Sequence, residues 1–280
     1  MRTSEGSVRA IRSYPPAILL FLLSAVGSPL WAGEAGPAKP GVKPTVKLQA
    51  KSIIFNQKQG DILLEGDVHV TRTVSGGVMV IDCDKMTAKL TDGKLGDVLA
   101  TGNVKLSTKD LKATASRADL AFAQSKITLY GAPGKPAVAR LAGIVAQGPK
   151  IIFDTSTGDI SLEGSARVIR TTDESKMTVD CDKMTAKLAE GKLTNALATG
   201  NVGLAAKDLS ATASKAAFDF TKNVITLYGV KDKSAVAKSA GVISRGPRII
   251  FHLDDQRVVL PDGGTSEIDL KSGGDKKNAG

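Results

Sequence analysis

The chain has 280 residues, a formal charge of +10 and 42% hydrophobic residues, enough to bury a core and to argue against wholesale disorder. Two histidines and two cysteines leave little for a Cys/His metal cluster or a histidine-based triad. Aromatics at 4% weaken any base-stacking platform for single-stranded nucleic acid, and no block of like charges forms a nucleic-acid arm.

The first predicted element is a targeting signal. Arg2, Arg9 and Arg12 precede an apolar run from Ala17 to Val26, shorter than the roughly 20 residues of a spanning helix. Gly27, Ser28 and Pro29 break the run, and Leu30-Trp31-Ala32 offers a cleavage site. Residues 1–32 are therefore expected to be a signal peptide, cleaved near Ala32, with an uncleaved anchor as the alternative. Residues 33–47, rich in proline and glycine, read as a linker.

From residue 48 the chain repeats itself at an offset of 98. Ile81-Asp82-Cys83-Asp84-Lys85-Met86-Thr87-Ala88-Lys89-Leu90 returns as Val179-Asp180-Cys181-Asp182-Lys183-Met184-Thr185-Ala186-Lys187-Leu188. Over 79–116 against 177–214, 27 of 38 positions are identical, so the segment is a duplication. Repeat 1 is placed at 48–148, repeat 2 at 149–246, a terminating partial unit at 247–262 and a disordered tail at 263–280. Within the repeats, six short segments end in Gly66, Gly102, Gly131, Gly164, Gly200 and Gly229, giving an underlying unit near 33 residues.

Inside each unit the apolar period is 2, the mark of a strand with one inward face. The inward phase falls on Ile62, Leu64, Val68, Val98, Ala100, Val104, Ile127 and Leu129 in repeat 1. In repeat 2 it falls on Ile160, Leu162, Ala198, Val202, Ile225 and Leu227. Each glycine sits within the alternation and is expected to bend its strand while keeping one face inside. The prediction is an all-β, elongated stack of bent strands whose small inward residues leave room for a ligand.

Cys83 and Cys181 occupy matching positions three units apart. At roughly 4.7 Å per rung they stand about 14–28 Å apart, too far for a disulfide, and two buried thiols are expected. The pairs Asp82/Asp84 and Asp180/Asp182 lack the third carboxylate of a calcium loop and read as a solvated face. His69 and His252 do not recur, and no hydrolase, nucleotide-binding or zinc-protease string occurs. No enzymatic activity, metal or cofactor is expected.

The recurring Gly66-Asp67-Val68, Gly102-Asn103-Val104 and Gly200-Asn201-Val202, with alternating apolar segments before them and units such as Lys85-Met86-Thr87-Ala88-Lys89-Leu90, resemble the OstA-like family. That family includes the lipopolysaccharide-transport proteins LptA and LptC and the N-terminal domain of LptD. The resemblance spans about Leu48 to Pro261. It implies an open β-jellyroll in the periplasm whose apolar cleft shelters acyl chains. It also implies lipopolysaccharide or another anionic lipid as ligand, and other OstA-like envelope proteins as partners through end-to-end strand stacking. Contact with a membrane is peripheral at most, and nucleic acid is not a partner. On this reading the fourteen inward residues line the lipid cleft. Arg72 and Arg170, which match across the repeat, either pair phosphate at its rim or protect strand edges. The alternative function is a structural or adhesive envelope β-solenoid that binds polysaccharide or protein.

Overall fold

The computed structural model describes residues 45–268, apart from 75–76, 92–93, 142, 173–174 and 208. The expected signal peptide, most of the linker and the tail beyond 268 lie outside the described residues. Among the described residues no helix is long and apolar enough to cross a membrane.

The first block of strands is β1 (Thr45–Gln49), β2 (Ser52–Asn56), β3 (Asp61–Val74), β4 (Gly77–Thr91), β5 (Lys94–Ser107), β6 (Leu111–Ala121), β7 (Lys126–Tyr130), β8 (Ala137–Leu141), β9 (Ile144–Gly148) and β10 (Lys150–Asp154). The second is β11 (Asp159–Thr171), β12 (Lys176–Ala189), β13 (Lys192–Ala205), β14 (Leu209–Asp219), β15 (Val224–Tyr228), β16 (Ala235–Ser239), β17 (Val242–Gly246) and β18 (Arg248–His252). The short strands β19 (Val258–Val259) and β20 (Thr265–Ile268) close the series. A 3-10 turn, Phe122–Gln124, lies between β6 and β7.

Glycine makes the long strands fold over. Gly66 and Asp67 have φ of 76° and 47°, Gly102 and Asn103 74° and 46°, and the copies at Gly164-Ser165 and Gly200-Asn201 match them. Two successive left-handed residues form a bulge, and the pairing register jumps there between Glu65 and Val68 and between Thr101 and Val104. β3, β5, β11 and β13 turn at these bulges, and β4, β6, β12 and β14, with no left-handed residue at the corner, bend alongside them, so each long strand contributes one half to each of two antiparallel sheets, here called arms. The first arm runs β2, β3, β4, β5, β6, β7, β10 and onward to β18 and β19. The second runs β1, β3, β4, β5, β6, β8, β9, β11 and onward to β16, β17 and β20. The core lies between the arms. β6 and β14, which are 98 residues apart, alternate buried and exposed in the same order throughout.

The bend at glycine holds for four of the six positions and is corrected at two. Gly131 and Gly229 have no positive φ; the strand ends at Tyr130 or Tyr228 and the chain detours through a small turn closed by Ala132 with Lys135, or Val230 with Lys233. The detour carries the chain from one arm to the other and lets separate strands, β7 and β8, replace one bent strand. Pro133-Gly134 marks it in the first repeat only. Two boundaries also move. β1 begins inside the expected linker, because Val46 and Leu48 continue the inward phase opposite Arg72 and Val70. β20 lies inside the expected disordered tail, where it pairs with β17. An Arg245–Glu267 ion pair of 3.3 Å and a Ser244–Ser266 hydrogen bond of 3.0 Å hold it there.

Cys83 and Cys181 are buried free thiols. Burial, with neighbouring aspartates, pushes both up to about 11. The unfolded chain therefore loses these protons first as pH rises past the ordinary thiol value, so the thiols contribute stability below about pH 9 that is lost between about pH 9 and 11. Iodoacetamide at pH 8 is expected to spare both in the folded protein and to label both in denaturant without reductant. A non-reducing mass 2 Da short of the reduced chain, with no labelling, would mean a disulfide instead.

Candidate functional site: the space between the arms

The inward ladder runs without a break along the first arm. One rung set passes through Leu64, Met86, Ala100, Ala118, Leu129, Ile151, Leu162, Met184, Ala198, Ala216, Leu227 and Ile249 by direct cross-strand pairing. All fourteen residues expected to face inward are buried in one core, with exposures no higher than 8%. Ala100 and Ala198 are at 0%, in ladder steps where alanine stands beside alanine. In this state the small residues sit against filled space. The arms are closed on one another.

The closure fails at one end. Ile53 on β2 pairs with Leu64 and occupies the ladder position that Ile151 and Ile249 occupy in β10 and β18. It is 49% exposed where they are 0%, and its neighbour Ile54 is 56% exposed. The edge accounts for the contrast with Ile151: β10 has a strand on both sides, β7 and β11, and β2 has only β3. At the opposite end β19 covers only two residues of β18, and Ile268 on β20 is 63% exposed.

At the edge of the sandwich away from the glycine corners the arms meet through a repeated contact. Arg72 follows Val68 and Val70 on the inward phase of β3, and its guanidinium carbon lies 4.3 Å from the centre of the Phe122 ring at the tip of the first arm. Arg170 and Phe220, 98 residues on, repeat it at 4.9 Å. Phe220 also stacks on Phe218 with centroids 5.8 Å apart. Burial lowers the Arg72 pKa from its ordinary value. The sequence reading identified the arginines but missed the rings; the signal available was that Phe122 and Phe220 share the same offset.

The aspartate pairs do more than face solvent. Asn103 Nδ2 donates to Asp84 across 3.0 Å and Asn201 Nδ2 to Asp182 at the same distance, pinning the corners. Asp82 faces His69 at 2.7 Å, and Asp180 takes a two-pronged contact from Arg167 at 2.6 and 3.2 Å. No group of three or more His, Cys, Asp or Glu that could hold a metal ion occurs among the described residues. A separate groove of about 720 Å³ lies on the first arm of repeat 2, floored by Ile152, Leu197, Ala217 and Phe218. Of the fourteen expected cleft residues only Ile160 reaches it.

Residues 47–159 match the family described as LptA/(LptD N-terminal domain) LPS transport protein. Beyond it, the registers of the matched stretch return 98 residues on: Ile62 opposite Ala88 becomes Ile160 opposite Ala186, and Ala100 opposite Ala118 becomes Ala198 opposite Ala216. Thirteen chains of solved structures match. Among them is the crystal structure of LptH, the LptA homologous periplasmic component of the lipopolysaccharide transport device from Pseudomonas aeruginosa. It is 24% identical over 40% of this chain and 76% of its own, with a TM-score of 0.34. No curated protein matches the sequence.

Proposed function

We propose that this is a non-enzymatic periplasmic protein of lipopolysaccharide transport, which shelters acyl chains between its two arms and joins other OstA-like proteins end to end. The observation that carries the reading is the uninterrupted apolar ladder from β2 to β18, open at the β2 end where Ile53 lacks its neighbour. With the arms closed the ladder is filled by its own side chains, so acyl chains enter as the arms part, and each CH₂ then buried contributes about 0.8 kcal/mol. The match over residues 47–159 supports the assignment to lipopolysaccharide transport. Lipid extraction and mass spectrometry of the purified protein test it: acylated lipid in stoichiometric amount is expected, and lipid-free protein that takes up none on incubation with lipopolysaccharide would overturn it.

The filled interior favours a second reading, a structural or adhesive envelope β-solenoid binding polysaccharide or protein. In that case the core serves only to hold the rod together.

The uncovered edge gives a separate prediction. Ile53→Lys places a charge where an added strand would bury it, and is expected to abolish concentration-dependent self-association while leaving the melting temperature within about 2 °C. Sedimentation velocity over a hundredfold range of concentration measures it. Unchanged association would place the docking surface elsewhere.

A further inference from the structure

Five of the described arginines are engaged by carboxylates: Arg117, Arg167, Arg245, Arg248 and Arg257. Arg140 is exposed on the outer face of β8. Arg72 and Arg170 differ from all of these. Both are on the inward phase of the second arm, both are half-buried, and neither has a carboxylate partner among the described residues.

The aromatic contact fixes what such a guanidinium can do. A ring takes up no carboxylate-type hydrogen bond, so with its carbon 4.3 or 4.9 Å from a ring centre each guanidinium keeps N–H donors without a carboxylate partner among the described residues. Those donors form the planar fork that matches a phosphate or carboxylate. The contact also differs from the other cation–ring pairs, Arg117 over Tyr130 and Lys215 over Tyr228, which lie between adjacent strands of one arm. Arg72 and Arg170 reach across from the second arm to the first, so each stands at the lip of the apolar interior. A partly desolvated cation at the edge of an apolar interior is complementary to an anion attached to an apolar chain.

We infer that Arg72 with Phe122, and Arg170 with Phe220, form two equivalent sites for the oxyanion headgroup of an acylated lipid, whose chains enter between the arms; this rests on the carrier reading above. From β3 to β11 the second arm advances by six strand spacings, through β4, β5, β6, β8 and β9. At roughly 4.8 Å each the two sites are about 29 Å apart. That span exceeds the headgroup of one lipid, so the chain takes two lipids, one per repeat.

Native mass spectrometry and calorimetry of the full chain test this with four probes: dihexanoyl phosphatidic acid, neutral dihexanoylglycerol, zwitterionic dihexanoyl phosphatidylcholine and inorganic phosphate. Two molecules of phosphatidic acid per chain are expected, held at least tenfold more tightly than the neutral or zwitterionic lipid, with phosphate alone weaker still. Arg72→Gln and Arg170→Gln should each remove one site, and the double variant should bind phosphatidic acid no better than dihexanoylglycerol. Arg→Lys at either position, which retains the charge without the fork, should fall between, and it serves where the glutamine variant does not fold. If all three lipids bind equally and the variants change nothing, the headgroup sites are wrong while the carrier reading stands. If inorganic phosphate binds as tightly as phosphatidic acid at the same arginines, the sites are for free anions. If no lipid binds at all, the carrier reading and these sites fall together.

Discussion

Gly102→Val is expected to cost about 2–4 kcal/mol of unfolding free energy, and Gly200→Val the same, read by equilibrium unfolding in urea. Two effects combine. The glycine has φ of 74°, where an L-residue is strained by about 1–2 kcal/mol. A Cβ at Gly102 would also run into the Asp84 carboxylate and stand 2.8 Å from its Cβ. The carboxylate would have to leave, and Asn103 would lose its acceptor. Gly191→Val separates the two effects: its φ is 72°, and nothing lies within 4 Å of the added Cβ. It should cost only the backbone part. Equal losses at Gly102 and Gly191 would show that the pinned corner contributes nothing.

Ala100→Leu and Ala198→Leu are each expected to destabilise by about 1–3 kcal/mol through overpacking, because both alanines are at 0% exposure and pair with alanines that are also at 0%. Some 29 Å apart and without shared partners, the two should add, giving about 2–6 kcal/mol in the double variant. On the carrier reading the added groups also take the space that acyl chains would fill when the arms part, so the lipid recovered with the protein should fall along with its melting temperature. On the structural reading the stability loss is the same and there is no lipid to lose. Full stability with full lipid content would mean that the closed interior is not the resting state.

Much of the architecture was legible because it rests on period-2 burial and on glycine, both local in sequence. Val68, Val104 and Val202 announce their inward direction wherever the alternation is intact, and all three are buried at 2% or less. Gly131 and Gly229 were misread for a physical reason: a glycine after an apolar segment looks the same whether the strand bends through it or stops. Only the length of the next segment decides, and the chain needs Ala132–Pro136 to cross between arms. The lip was half legible. Arginine on an inward phase is visible in a sequence, but its ring comes from a turn 50 residues away, in the other arm. Whether the inward residues enclose open space or each other was not legible at all. That depends on how closely two sheets approach, which no single strand encodes.

The shared register of the two repeats carries a hazard during folding. A strand such as β4 meets in β13 nearly the same residues that it meets in β5, so a chain that pairs them makes a locally satisfactory sheet with the wrong half of itself, or with a neighbouring molecule. Loop closure favours the correct choice, since β5 begins three residues after β4 ends while the wrong partner lies about 98 residues further on. The few positions where the copies differ add discrimination: His69 faces Asp82 in one, and Arg167 takes the same seat against Asp180 in the other. Sequence divergence between the halves thus acts as proofreading, and making the two copies identical would trade yield of the native molecule for swapped oligomers.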